Sequence, residues 1–276
     1  MDPEYREMGC IHVADDDAEL RHLASSADHG EMLDARLLRE LEPALSHALV
    51  GGLLVQGGNV DNRRLCKALE ISARRAGVTI SSGVEVRGVV RSGGRATGVD
   101  TSAGRRDADL VVIAAGAWSS TIEGLEPRPW VHPQKGQILA LDQSSIGIKH
   151  VLLTPDDPYF VPRADQRLVI GATREEAGWN ASLTAEGVHW LLSRATQVVP
   201  KLKAAPIAEM WTGFRPLSDD GVPLIGKGAV DGLYFLTGHG PSGIAPLPGS
   251  VALLLALVAG EPPPVPHQAF DPVRAH

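Results

Sequence analysis

The sequence predicts an α/β protein carrying an α+β insert, and three observations point there. Strand-like runs end in small residues and lead into loops or helices, as in "DADLVVIAAGAWSS" (residues 107–120) and "GLYFLTGHGPSG" (232–243). Between residues 127 and 214 the texture changes to closely spaced short strands followed by one helix. The length of 276 residues lies where one core usually becomes two, so two interleaved domains are expected.

Along the chain, "DDDAELRHLA" and "LDARLLRELEPAL" read as short helices, the second stopping around Pro43. "GGLLVQGGNVDN" is turn-rich. "NRRLCKALEISARRAG" is an amphipathic helix with Leu65, Leu69 and Ala73 on one stripe and Gly77 as C-cap. "VTI", "VEVRGVVRSGGRATGVDT" and "ADLVVIAAG" are strands, and Ser92-Gly93-Gly94 turns a hairpin. In the insert, "QILAL", "HVLLT", "YFVPR" and "RLVIGAT" are strands, with "RADQR" as a hairpin turn. Thr184 then caps a helix with Val188, Leu191, Leu192, Ala195 and Val199 on one face. The last part returns to strand "GLYFLTG", a glycine loop and helix "GSVALLLALVAG", and "EPPPVPHQAF" closes as an extended tail.

Composition excludes several function classes. Net charge is −7 and no run of Lys/Arg exceeds two residues, which disfavours a nucleic-acid or anionic-membrane partner. Cys10 and Cys66 have no C-x-x-C spacing, as expected of a reducing, cytoplasmic setting rather than a disulfide framework or a thiolate metal site. The most apolar stretch, Val251 to Ala259, is too short to span a bilayer, and the N-terminus does not read as a signal peptide. The histidines lack metal-ligand spacing, so no metal is expected. G-x-S-x-G, H-E-x-x-H, P-loop and EF-hand patterns are missing from the sequence.

Three places carry candidate chemistry. The Ala114–Ala117 run after Val111–Ile113 marks a strand end approached closely by another backbone or by a ligand. "GHGPSG", Gly238 to Gly243, matches G-x-G-x-x-G, but a dinucleotide fingerprint opens a βαβ unit and this one precedes the last helix. It is read instead as a loop presenting free N–H groups at a helix N-terminus, suited to an anionic ligand atom, or as a plain strand–helix turn. Arg215, between Phe214 and Pro216, is suited to a two-pronged contact with a carboxylate, and the Tyr159 phenol to reaching a ligand.

Eight segments occur in order: "YREMGCIHVA", "LLRELEPAL", "GGNVDNRRLCKAL", "DLVVIAAGAWSS", "HPQKGQILAL", "YFVPRADQRLVIGAT", "WTGFRPLSDDGVPLIG" and "GLYFLTGHGPSGI". Together they resemble the FAD-dependent D-amino-acid-oxidase family, nearest its glycine oxidase branch associated with thiamine biosynthesis, over about residues 5–260. The resemblance implies a doubly wound FAD-binding domain over 1–126 and 215–276, with a substrate domain inserted over 127–214. It implies FAD contacts at Val86, Ala115, Gly116, His239, Gly240, Pro241, Ser242, Gly243 and Ile244. It gives Arg215 as the carboxylate-binding arginine and Tyr159 as an active-site tyrosine.

The implied reaction is hydride transfer from the Cα of glycine, sarcosine or a small D-amino acid to the flavin. Hydrolysis of the imine and reoxidation by O2 to H2O2 follow. A dehydrogenase passing electrons to a quinone is the close variant. Homo-oligomerisation is compatible with the family.

Two departures from the pattern carry expectations. The family's opening βαβ unit with G-x-G-x-x-G precedes "YREMGC" and is not in this sequence, so a truncated FAD-binding domain is expected, or one part of a split or non-catalytic protein. Pro241 stands where glycine oxidases commonly carry Arg, and Arg174 is the candidate to compensate.

Overall fold

In the computed structural model, residues 1–25, 29–125, 128–156 and 158–274 are described. The chain forms two compact units: residues 1–80, 136–174 and 181–213, and residues 81–135, 175–180 and 214–276.

The first unit is organised on an eight-stranded sheet. In spatial order its strands are Ile207–Ser218, Val131–Asp142, Arg167–Gly171, Tyr159–Pro162, Val151–Leu153, Cys10–Ala14, Gly51–Val55 and Gly30–Asp34. The first two strands run on past the boundary of this unit. One face is apolar: Ile11, Leu139, Leu141, Leu152, Phe160, Leu168 and Ile170 pack with Leu191, Ala195 and Val198 of helix Ala185–Val198. That helix is capped by Thr184, whose hydroxyl accepts from Gly187 N, as the sequence predicts. Helix Ala35–Leu41 likewise starts at an Asp34 cap and ends before Pro43.

The domain boundary differs from the expectation. The sequence expectation joins residues 1–126 to 215–276, whereas the structure groups residues 1–80 with 136–174 and 181–213. The reason is pairing: Cys10–Ala14 lies parallel to Val151–Leu153 on one side and antiparallel to Gly51–Val55 on the other. The glycines of Gly51–Val55 predict a turn-rich stretch, yet it is an interior strand. A Cβ on Gly51 would stand 2.5 Å from Leu33 O, and one on Gly52 2.5 Å from His12 O. These glycines permit close backbone approach rather than a turn.

Helix Asn62–Arg75 forms where expected, but none of its residues is buried and Leu69 is 49% exposed. Within its own unit it relies on the Asp61 cap and on Glu70 pairing with Lys67 and Arg74. "VTI" (78–80) forms no strand, and Val78 is exposed.

The second unit holds two three-stranded sheets. One is ordered Leu224–Lys227, Leu233–Thr237, Val111–Ile113; the other Val86–Ser92, Arg95–Thr101, Arg106–Asp107. The Gly93–Gly94 turn has φ of 59° and 79°, positive at both positions as a tight hairpin requires. Val89, Ala96, Val111, Ile113, Leu224, Leu233 and Phe235 form one core. Helix Leu247–Ala259 packs Leu253 and Leu254 against Ile225 and ends at Gly260 in the left-handed region. Among the described residues no helix is long and apolar enough to cross a membrane.

Candidate active site

In the second unit, Leu233–Thr237 and Val111–Ile113 are parallel neighbours, with Leu233 opposite Val111 and Phe235 opposite Ile113. Their carboxyl ends therefore lie side by side, the position where open α/β sheets bind ligands. Val111–Ile113 runs through Ala114 and Ala115 into a 3₁₀ turn, Gly116–Thr121. Gly116 has φ +56°, and its carbonyl accepts from Ser119 Oγ at 2.8 Å and Thr237 Oγ1 at 3.2 Å. The two hydroxyls are themselves 2.7 Å apart. This buried triangle ties the two strand ends together.

The sequence left open what approaches the small-residue run. Among the described residues, chain neighbours aside, a Cβ built on Gly116 meets no atom within 4 Å. Another backbone is thus not the neighbour of Gly116, and room for a ligand remains beside it.

Thr237 leads through Gly238 to His239 and the 3₁₀ turn Gly240–Ser242. His239 Nε2 is 3.0 Å from Ser250 Oγ in the last helix, and burial pushes the imidazole below its ordinary pKa. A Cβ on Gly243 would stand 3.1 Å from His239 Cβ, so the small residue leaves space for the ring. Pro241, Ser242 and Ile244 are exposed, and the helix begins at Leu247, three residues beyond Ile244. His239 also bridges to Leu217, on the strand that carries Arg215. Ala115, Gly116, His239–Ile244 and Arg215 thus belong to connected elements of one unit. Val86 belongs to the same unit but lies on its other sheet, 40% exposed and opposite Thr101.

Arg215 is half-buried in Ile207–Ser218. Its neighbour Phe214 makes edge contacts with Trp118 and Trp179, and the two indoles stack at 5.2 Å. Strand alternation sends Arg215 to the face opposite this aromatic group. Tyr159 and Arg174 fall in the first unit. The Tyr159 hydroxyl lies over Gly171, 2.8 Å from where a Cβ there would stand, while Arg174 is exposed.

Sequence reasoning missed three features. Ser119 and Thr237 carried a weak signal, since alternation from buried Leu233 and Phe235 makes Thr237 inward-facing. The aromatic trio joins residues far apart in the chain and has no local signature. The third is Lys135, whose side chain is only 1% exposed and pairs with Glu175 at 3.0 Å. Backbone hydrogen bonds in both directions hold the two residues together. Glu175→Ala should cost about 2 kcal/mol in urea unfolding. This is below the range for a fully buried pair, because Glu175 is itself partly exposed.

Residues 1–257 match the family DAO, FAD dependent oxidoreductase. The chain is 36% identical over 256 residues to the bifunctional protein ThiO/ThiG of Synechocystis sp. PCC 6803, covering 91% of this chain and 38% of that protein. It thus spans about two-fifths of the length of that relative. It is 32% identical over 286 residues to the glycine oxidase of Pseudomonas aeruginosa, covering 99% of this chain and 76% of that protein. The crystal structure of glycine oxidase from Geobacillus kaustophilus superposes with a TM-score of 0.91 at 28% identity, over 100% of this chain and 77% of that one. A match running from the first residue into the last helix, with strand ends and glycine turn inside it, settles the family: the chain belongs to the DAO family of FAD-dependent oxidoreductases.

Proposed function

We propose that this chain carries the substrate- and flavin-contacting parts of a glycine-oxidase-type enzyme that oxidatively deaminates glycine, sarcosine or small D-amino acids. The single observation that carries the reading is the open side of Gly116 at the joined ends of two parallel strands. These residues fit a flavin. Ala114, Ala115 and Gly116 offer a flat, small-residue approach, and the 13-residue helix Leu247–Ala259 has no side-chain cap at its N-terminus. Such an end favours negative charge.

Bound FAD would supply the two-electron acceptor chemistry for oxidation at Cα. The chain's own residues bind and orient. Arg215 holds the substrate carboxylate by a two-pronged contact, and Tyr159 offers its phenol to the same class of ligand. Ala115, Gly116, the His239–Ile244 segment and Val86 are the proposed cofactor contacts. His239, whose pKa burial lowers and whose Nε2 lies 3.0 Å from Ser250 Oγ, stiffens the loop between strand and helix. Arg174 is the proposed stand-in for the arginine that Pro241 replaces. If Arg174→Ala leaves the KM for glycine unchanged, that role is lost. Cys10 and Cys66 are free thiols, in keeping with a cytoplasmic setting, and the relative's ThiO designation agrees with the thiamine-biosynthesis branch.

The first test is a visible absorbance spectrum after incubation with FAD and desalting, followed by an H2O2 assay with glycine. Retained flavin and peroxide formation are expected. Dye reduction without O2 uptake would move the reading to a dehydrogenase. A colourless protein would limit these 276 residues to a part that does not hold flavin by itself.

A further inference from the structure

One end of the first unit's sheet opens into a cleft of about 620 Å³ whose lining belongs wholly to that unit. Strands Cys10–Ala14, Gly51–Val55 and Gly30–Asp34 are neighbours, with Cys10 and Gly30 both opposite Val55, so their ends meet there. Leu54 and Val55 supply an apolar wall, and Glu7, His29, Glu31 and His150 bring the titratable groups.

His150 stands just before strand Val151–Leu153, which pairs with Cys10–Ala14. Glu42 holds it in place. The Glu42 side chain is fully buried, and its Oε1 accepts from Lys149 N at 2.9 Å, His150 N at 2.7 Å and His150 Nδ1 at 2.8 Å. Two amides already use Oε1 as an acceptor, so Nδ1 is a donor and carries a proton. A buried carboxylate behind a histidine fixes the ring and its tautomer, which leaves Nε2 as the nitrogen for a ligand. Glu42 Oε2 is buried without a hydrogen bond among the described residues, and His150 is the one basic side chain paired with Glu42 there.

The charge of the lining has one sign. No lysine or arginine is among the described residues of the wall, and neither Glu7 nor Glu31 has a basic partner among them. Unpaired carboxylates in a concavity raise the local concentration of cations. No group of three ligating side chains among the described residues could hold a metal ion, so an organic cation is the better match. Carboxylates alone would accept any such cation. A fixed ring nitrogen in the same wall adds a demand for an N–H donor.

We propose that this cleft binds a primary alkylammonium ion, which donates an N–H to His150 Nε2, has its charge answered by the wall carboxylates and lays its chain on Leu54 and Val55. The site is separate from Arg215 and the second unit, and it stands whether or not the oxidase reading does. Glu42 is a positioning residue, acting through His150.

The test is calorimetric titration of the whole chain at about pH 9, above the ordinary range of imidazole and below that of an alkylamine. The probes are n-butylammonium, tetramethylammonium, which keeps the charge without an N–H, and 1-butanol, which keeps the chain without the charge. n-Butylammonium should bind about tenfold more tightly than either control. His150→Phe should abolish its preference over tetramethylammonium. The double substitution Glu7→Gln, Glu31→Gln should weaken both ions about tenfold and leave 1-butanol unchanged. Both glutamates are exposed, so this variant decides the matter if His150→Phe fails to fold. Equal affinities for the three probes overturn the inference. So does a preference for n-butylammonium that survives either substitution unchanged.

Discussion

Gly116→Leu should give a folded protein that retains no flavin after incubation and desalting. Two effects act at this position. The φ of +56° is unfavourable for any residue with a Cβ, at a cost of about 1–2 kcal/mol. The isobutyl group would also fill the space beside the strand end, where no described atom beyond the chain neighbours comes within 4 Å of a built Cβ. Gly116→Ala separates the two. It carries the backbone strain and only one methyl group, so it should lose about 1 kcal/mol in urea unfolding yet still retain flavin. Equal flavin occupancy in Gly116→Leu and the unmodified protein would mean the cofactor does not approach this strand end. The Ser119–Thr237–Gly116 triangle makes evasion by backbone movement costly, because shifting the Gly116 carbonyl takes the acceptor from one of two buried, mutually bonded hydroxyls.

Arg215→Ala is expected to raise KM for amino-acid substrates by roughly 100-fold while leaving flavin binding intact. Two charge-assisted hydrogen bonds to one carboxylate, each worth about 1.5–3 kcal/mol gross, support a loss of that size after solvent takes over part of the contact. Arg215→Lys should fall between, because an ammonium keeps the charge and loses the fork. The split between KM and kcat is informative. A loss confined to KM means uniform binding, whereas an added loss in kcat means the clamp also aims Cα. Loss of flavin in Arg215→Ala would overturn the assignment, since Arg215 would then be holding the cofactor loop, which its strand meets through the Leu217–His239 bridge.

Much of this was legible in the sequence. The Thr184 cap, the stop before Pro43 and the Gly93–Gly94 hairpin depend on neighbours within a few residues, and all formed as read. The β-branched run ending in Ala-Ala-Gly identified a strand end suited to a ligand, because absent side chains are visible in a sequence. Nothing local to "YFVPR" marks how Arg163 is held. Its half-burial and its two neutral acceptors arise from Asn59 and Val60, a hundred residues earlier in the chain.

What the sequence by itself determined is the Thr184 cap, the Gly93–Gly94 turn, most helices and strands, the small-residue strand end, and the family pattern spread over eight segments. Only the tertiary structure decided that residues 1–80 join the insert's sheet, that Gly51–Val55 is an interior strand, and that Lys135 is a buried charge answered by Glu175. The physical reason is the range of the interactions. Capping and turn preferences are set by the residue and its immediate neighbours. Strand partners and the burial of charge depend on which distant segments pair, and period-two alternation says which face a residue takes but not which strand lies beside it.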